Sequence, residues 1–196
     1  MNYQDYKNKH IRNAVLALQR YYAGTKEAAA EMQRISKQYK GEQLQNLSGE
    51  LSSAVQSLHE AAKKEVESCL ERLEAVKQDA LAKTLQNAEI SKDFKLLELP
   101  LTLKENELEQ LAGRNKDNAL FIRALNEYAV NHNMPIRFES TAPDYDRAYN
   151  AVKSVLGGSV CKSGKFLDCV EDASNKEWEL DMLAGELEKA DAVFGD

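Results

Sequence analysis

Proline and glycine are scarce. The 196 residues include 3 Pro and 9 Gly, too little turn material for an all-β fold. Cysteine is sparse too. Three residues, Cys69, Cys161 and Cys169, are an odd set and no disulfide framework, so free thiols in a reducing cytosol are expected. No apolar run approaches the roughly 20 residues that cross a bilayer. Met1–Arg20 has no apolar stretch of the kind a signal peptide needs. These absences point to a cytoplasmic protein with no membrane partner (host cytoplasm, or a virion for a phage-encoded chain).

Motifs that carry chemistry are missing as well. Ser163-Gly164-Lys165 lacks the GxxxxGK[ST] frame that cradles phosphate. Cys161 and Cys169 are separated by seven residues, and His132 is the one nearby candidate to join them. Zinc needs four ligands, commonly in closely spaced pairs. His59 has no second His or Cys at ligand spacing. The carboxylates lie in charged helical surroundings, without the apolar setting that tunes a general acid or base. The expectation is therefore no catalytic residue, no metal ligand and no cofactor.

What is present is helix. The stretch Leu44–Leu97 has no proline, and its one glycine is Gly49. Apolar residues recur in it every three or four positions, as on a long amphipathic helix. From about Glu50 the seam reads Val55, Leu58, Ala62, Val66, Cys69, Leu73, Val76 and Ala80. The two successive steps of four at Leu58–Ala62–Val66 form a stutter. Leu51, Leu70, Leu81 and Leu85 widen the stripe, which calls for more than one partner helix.

A first helix is expected over Tyr3–Lys40, capped by Asn2. Ile11, Leu18, Thr25, Met32 and Tyr39 fall every seven residues, with Ala14, Tyr21, Ala28 and Ile35 at the complementary positions. Gly24 interrupts without shifting the phase, and the small Thr25, Ala28 and Ala29 would let a partner helix come close. Gly41 and Gly49 bracket the expected reversal, giving a hairpin over residues 1–99. At about 1.5 Å per residue such helices are long rods that need external packing to be stable. The association seam read from these patterns is Ile11, Leu18, Met32, Ile35, Val55, Leu58, Val66, Leu73 and Val76.

Pro100 ends the rod, and residues 100–196 read as short helices. Thr102-Leu103-Lys104-Glu105 and Ser174-Asn175-Lys176-Glu177 resemble capping boxes. Gly113 and Gly157-Gly158 are helix stops. Asn115 would cap Lys116–Asn131, and Thr141-Ala142-Pro143-Asp144 would open another helix. The last helix would hold Trp178, Met182, Leu183, Leu187 and Val193.

Charge is unevenly distributed along a chain of net charge -6. Residues 1–40 hold 8 Lys and Arg against 3 Asp and Glu, a net of +5. Residues 171–196 hold 2 against 9, a net of -7. Solvated helix faces account for this most simply; the sharper reading is head-to-tail pairing between copies, or a basic head on an acidic partner. Arg12, Arg20, Arg34, Lys37 and Lys40 read as spread around the first helix, so nucleic acid is not the expected partner.

The run Leu103-Lys104-Glu105-Asn106-Glu107-Leu108-Glu109-Gln110-Leu111-Ala112, with Asn115–Asn118 and Phe121-Ile122-Arg123-Ala124-Leu125-Asn126-Glu127-Tyr128-Ala129, resembles small helical prophage proteins of Gram-positive bacteria. These are virion-morphogenesis, scaffold-like proteins in which a long coiled coil precedes a short-helix tail. The resemblance implies an all-α, non-enzymatic homo-oligomer that assembles with other phage structural proteins. It differs from the scaffold pattern in having an acidic rather than a basic C-terminus. A cytosolic coiled-coil adaptor for a protein partner is the alternative.

Overall fold

The computed structural model describes residues 5–87, 92–99 and 102–195. The described residues are all-α, with eight helices and no strand. Two long helices, α1 (Lys9–Gln38) and α2 (Gly41–Asn87), pack on each other as a hairpin. Six short ones follow: α3 (Phe94–Leu97), α4 (Glu105–Arg114), α5 (Ala119–Asn131), α6 (Tyr145–Leu156), α7 (Phe166–Met182) and α8 (Ala184–Phe194).

Contacts divide the chain into two units, and the division does not fall near residue 100. One unit comprises residues 1–78 and 145–196, the other residues 79–144. The C-terminal helices α6–α8 thus belong with the hairpin, because its apolar face is what they bury.

The hairpin turns at Tyr39–Lys40, ahead of the expected Gly41–Gly49 reversal. Tyr39 is extended and Gly41 takes φ +61°, a backbone state open to glycine at little cost. Gly49 lies within α2 and has open space around it. The helix tolerates it because a single glycine costs only about 1 kcal/mol relative to Ala. The described part of α2 ends at Asn87, short of the expected Leu97, and α3 is a separate turn. Asn2, Pro100 and the side chain of Leu85 lie outside the described residues.

Other helix ends moved for identifiable reasons. α1 is capped by Asn8, whose Oδ1 accepts from the His10 and Ile11 amides at 3.0 and 3.2 Å. α4 starts at Glu105, with the Lys104 amide donating to Glu107 Oε2 at 2.8 Å, in place of a Thr102 cap. Gly113 stays helical, and Asn115 closes α4 rather than opening α5, which Asn118 caps instead. Thr141 does not cap α6: its amide and hydroxyl both donate to the Lys116 carbonyl, at 2.7 and 3.2 Å. Ser174-Asn175-Lys176-Glu177 lies inside α7. The expected last helix is consequently two, α7 and α8, and tertiary packing has overridden the capping signal. Gly157 does end α6, its amide donating to Lys153 O at 3.0 Å.

In the first unit Ile11, Ala14, Leu18, Tyr21, Thr25, Ala28 and Ile35 of the α1 heptad pattern are buried, and Met32 and Tyr39 are half-buried. On α2 the buried positions are Val55, His59, Ala62, Val66, Cys69 and Leu73. Their steps are four, three, four, three, four. The expected stutter vanishes because His59, at 7% exposure, holds the position that an apolar count gave to Leu58. Leu58 is half-buried and points at α1, where a Cβ on Gly24 would lie 2.5 Å from its Cδ1. Gly24 therefore admits a leucine from the facing helix.

α7 lies close along α1. Tyr21 meets Cys169 and Lys26 pairs with Glu177, so the two helices run parallel. The inner face of α7 is Cys169, Ala173 and Leu180, and the small Cys169 and Ala173 permit that approach. α6 and α8 pack antiparallel, with Tyr145 edge-on to Phe194 at 5.5 Å. α8 closes the unit onto the start of α1. The buried Asp191 accepts from the Lys7 and Asn8 amides at 2.9 and 2.8 Å, and Asn8 Nδ2 donates to Phe194 O at 2.8 Å. A carboxylate there also faces the positive end of the α1 dipole.

The second unit has its own core. Leu108, Leu111, Phe121, Ile122 and Leu125 are buried under Phe94, Leu97 and Ile136, with Phe94 edge-on to Phe121 at 5.0 Å. The Asn126 amide brackets the Phe138 backbone, donating to its carbonyl at 2.9 Å and accepting from its N–H at 2.8 Å.

Two stability outcomes follow in the first unit. Asp191→Ala should destabilise by about 2–3 kcal/mol, because two backbone donors lose a charged acceptor; Asp191→Asn should cost less, and urea melts of the two variants measure both. Gly24→Val should cost about 1–3 kcal/mol by overpacking against Leu58, and a Gly24→Val, Leu58→Ala double variant should recover part of it in the same assay.

Candidate association surface

The expected seam residues do not form a free surface. Ile11, Leu18, Ile35, Val55, Val66 and Leu73 are buried within the chain itself. Met32 and Leu58 are half-buried. Val76, at 45% exposed, is the member that faces solvent. The stripe was broad because it serves α6–α8 as well as the hairpin, and those helices fill it from the same molecule.

A group of polar side chains is buried between α1, α2, the 157–165 connection and α7. Tyr22 donates to Ser159 O at 2.6 Å, and the Ser159 hydroxyl donates to Val155 O. His59 Nε2 lies 2.6 Å from Cys161 O. A carbonyl only accepts, so Nε2 carries the proton. The ring packs on Gly164, which has φ +65° and where a Cβ would come within 3.2 Å of the imidazole. Tyr21 is edge-on to His59 at 5.9 Å, with its hydroxyl beside the Cys169 thiol.

This cluster stitches helices together and holds no nucleophile poised beside a base. Burial pushes the Tyr21 and Tyr22 phenols well above their ordinary range, and it raises the Cys169 thiol too. All three stay neutral near pH 7. Elsewhere, burial pushes Cys69 up to about 12, with Glu65 adding to it. His132 belongs to the other unit, where its ring stacks on Tyr128 at 4.0 Å and its Nδ1 lies 2.9 Å from Tyr128 O. Among the described residues, no group of three or more His, Cys, Asp or Glu side chains is placed to hold a metal ion, and no helix is long and apolar enough to cross a membrane.

The outward face of α7 is different. Leu167 is 76% exposed, Trp178 64% and Met182 62%, and Leu183 follows in the open. Leu167, Glu171, Ser174, Trp178 and Met182 are spaced by four, three, four and four, so they share one face. Glu171 sits within this stripe, with Asp168 and Glu179 on one flank and Asp181 on the other, all exposed. Lys176 on the same helix is engaged by Glu179 at 2.9 Å. The helix has two apolar faces, and the closely approaching α1 selects the one with small side chains.

Of the basic residues expected to be spread around the first helix, Arg20, Arg34 and Lys37 are exposed on the outward side of α1. Arg12 is half-buried, its guanidinium donating to Tyr6 O at 3.3 Å, Lys40 lies beyond the end of α1, and Lys26 turns to Glu177 of α7. Comparison with protein-family models, with curated proteins and with solved structures finds no match.

The buried thiols and phenols give a pH test. Burial raises Cys69 from 9.0 to about 12 and Tyr6 from 10.0 to about 12. Between those values the folded chain binds more protons than the unfolded one, so stability declines as pH rises. Thermal melts should be unaffected by these groups below about pH 9 and should fall progressively toward pH 12. Cys69→Ala should flatten the first part of that decline.

Proposed function

We propose that this chain is a non-enzymatic structural protein that works by self-association, in the assembly of a phage or prophage particle. The observation that carries the association reading is the outward face of α7. Trp178, Met182 and Leu167 stand in solvent on a helix whose opposite face, Cys169, Ala173 and Leu180, is buried. Such a patch, rimmed by polar residues, is the usual mark of a protein–protein contact, where Trp and Met are enriched. The buried polar cluster supports the non-enzymatic part, because Tyr22, Ser159 and His59 are each committed to a backbone carbonyl. The phage setting comes from the resemblance at residues 102–133.

A second reading is an adaptor for a different protein. The acidic rim of the α7 stripe favours it, since that rim suits a basic amphipathic helix from any source. Pull-down from the native host, followed by identification of the captured chains, separates capsid and portal components from other partners.

Self-association predicts a mass above the 22.0 kDa of one chain by light scattering at micromolar concentration. A strictly monomeric chain at all concentrations would remove the leading reading.

A further inference from the structure

Resting on that reading, we infer that the occupant of the α7 stripe is a second copy of this chain, docked head-to-tail through the outward face of its α1. Three observations combine. The stripe is apolar along its centre and acidic in and around it: Leu167, Trp178 and Met182 with Glu171, Asp168 and Asp181. Two such stripes facing each other would set carboxylate against carboxylate, which opposes a symmetric α7–α7 contact.

The outward face of α1 has the complementary character. Leu16, Ala23 and Ala30 recur along it every seven residues, the first half-buried and the other two exposed. Arg20, Arg34 and Lys37 stand beside them, with Glu27 the acid among them and Glu31 paired to Arg34. Alanines at that spacing leave room for an indole to lie flat against the helix, and the flanking cations meet the carboxylates of the rim.

The third observation is the whole-chain asymmetry, +5 over residues 1–40 against -7 over residues 171–196. Within one molecule α1 and α7 are already in contact through their inner faces, so the two outward faces cannot meet in one chain and each is open to another molecule, a second copy included. A contact between two different faces is heterologous, and it propagates into a ring or a filament rather than stopping at a dimer.

The chain supplies its own probe, because Trp178 is its one tryptophan. Full-length protein is diluted through the association range while mass and Trp178 emission are followed together, at low and high salt. Assembly should shift the emission to the blue as mass rises, and high salt should weaken it at least tenfold. Arg20→Glu with Lys37→Glu should make the chain monomeric, as should Glu171→Lys with Asp181→Lys, each with unchanged helical circular dichroism. Mixing the two variants should restore a complex containing both, because the reversed α1 of one fits the reversed α7 of the other. Association with no change in Trp178 emission would overturn this docking while leaving self-association intact. A chain that stays monomeric throughout would overturn both. Should a variant lose its helicity, the emission of the unaltered protein still decides the question.

Discussion

Two long amphipathic helices cannot bury their apolar faces on each other alone, and the rest of the first unit answers that constraint. The hairpin of α1 and α2 presents a stripe too broad for one partner. Helices α6, α7 and α8 return from the far end of the sequence to cover it. The contacts that fasten them join residues more than a hundred positions apart: Tyr22 to Ser159, His59 to Cys161, and the Lys7 and Asn8 amides to Asp191. Closing such loops costs entropy that grows slowly with length, so a few satisfied polar contacts on top of apolar burial suffice to hold them.

The polar contacts also set position. His59 occupies a place in the α2 seam where an aliphatic residue would pack without direction. Its proton fixes the Cys161 carbonyl, and its ring lies on Gly164. Tyr22 fixes the connection a few residues earlier. Buried polar groups are costly when unpaired and specific when paired, so these pin the 157–165 connection and with it the start of α7. Small residues then decide how near α7 comes to α1. Cys169 and Ala173 face the hairpin, and the larger Trp178 and Met182 are turned outward.

That outward turn links packing to the proposed association. A helix with apolar residues on two sides satisfies one within the molecule and offers the other to a partner. The same logic leaves Arg20, Arg34 and Lys37 on the exposed side of α1, since the buried side takes Ile11, Val15, Leu18 and Tyr22. Charge segregation along the sequence becomes charge segregation between two surfaces.

The sequence by itself determined the elements of the hairpin. Period-seven spacing from Ile11 to Ile35 and the run from Val55 to Leu73 mark the buried faces, because side-chain direction on a helix repeats with known period. Gly157 marked the end of α6 for a similarly local reason. What the sequence left undecided was which residues fill those faces and which apolar side of α7 is inside. Leu58 or His59, and Trp178 or Ala173, differ by how closely another helix approaches, a property of neighbours far away in the chain. The grouping of residues 145–196 with the hairpin was likewise a decision of tertiary structure, since a broad seam signals the need for further partners without saying which segment meets it.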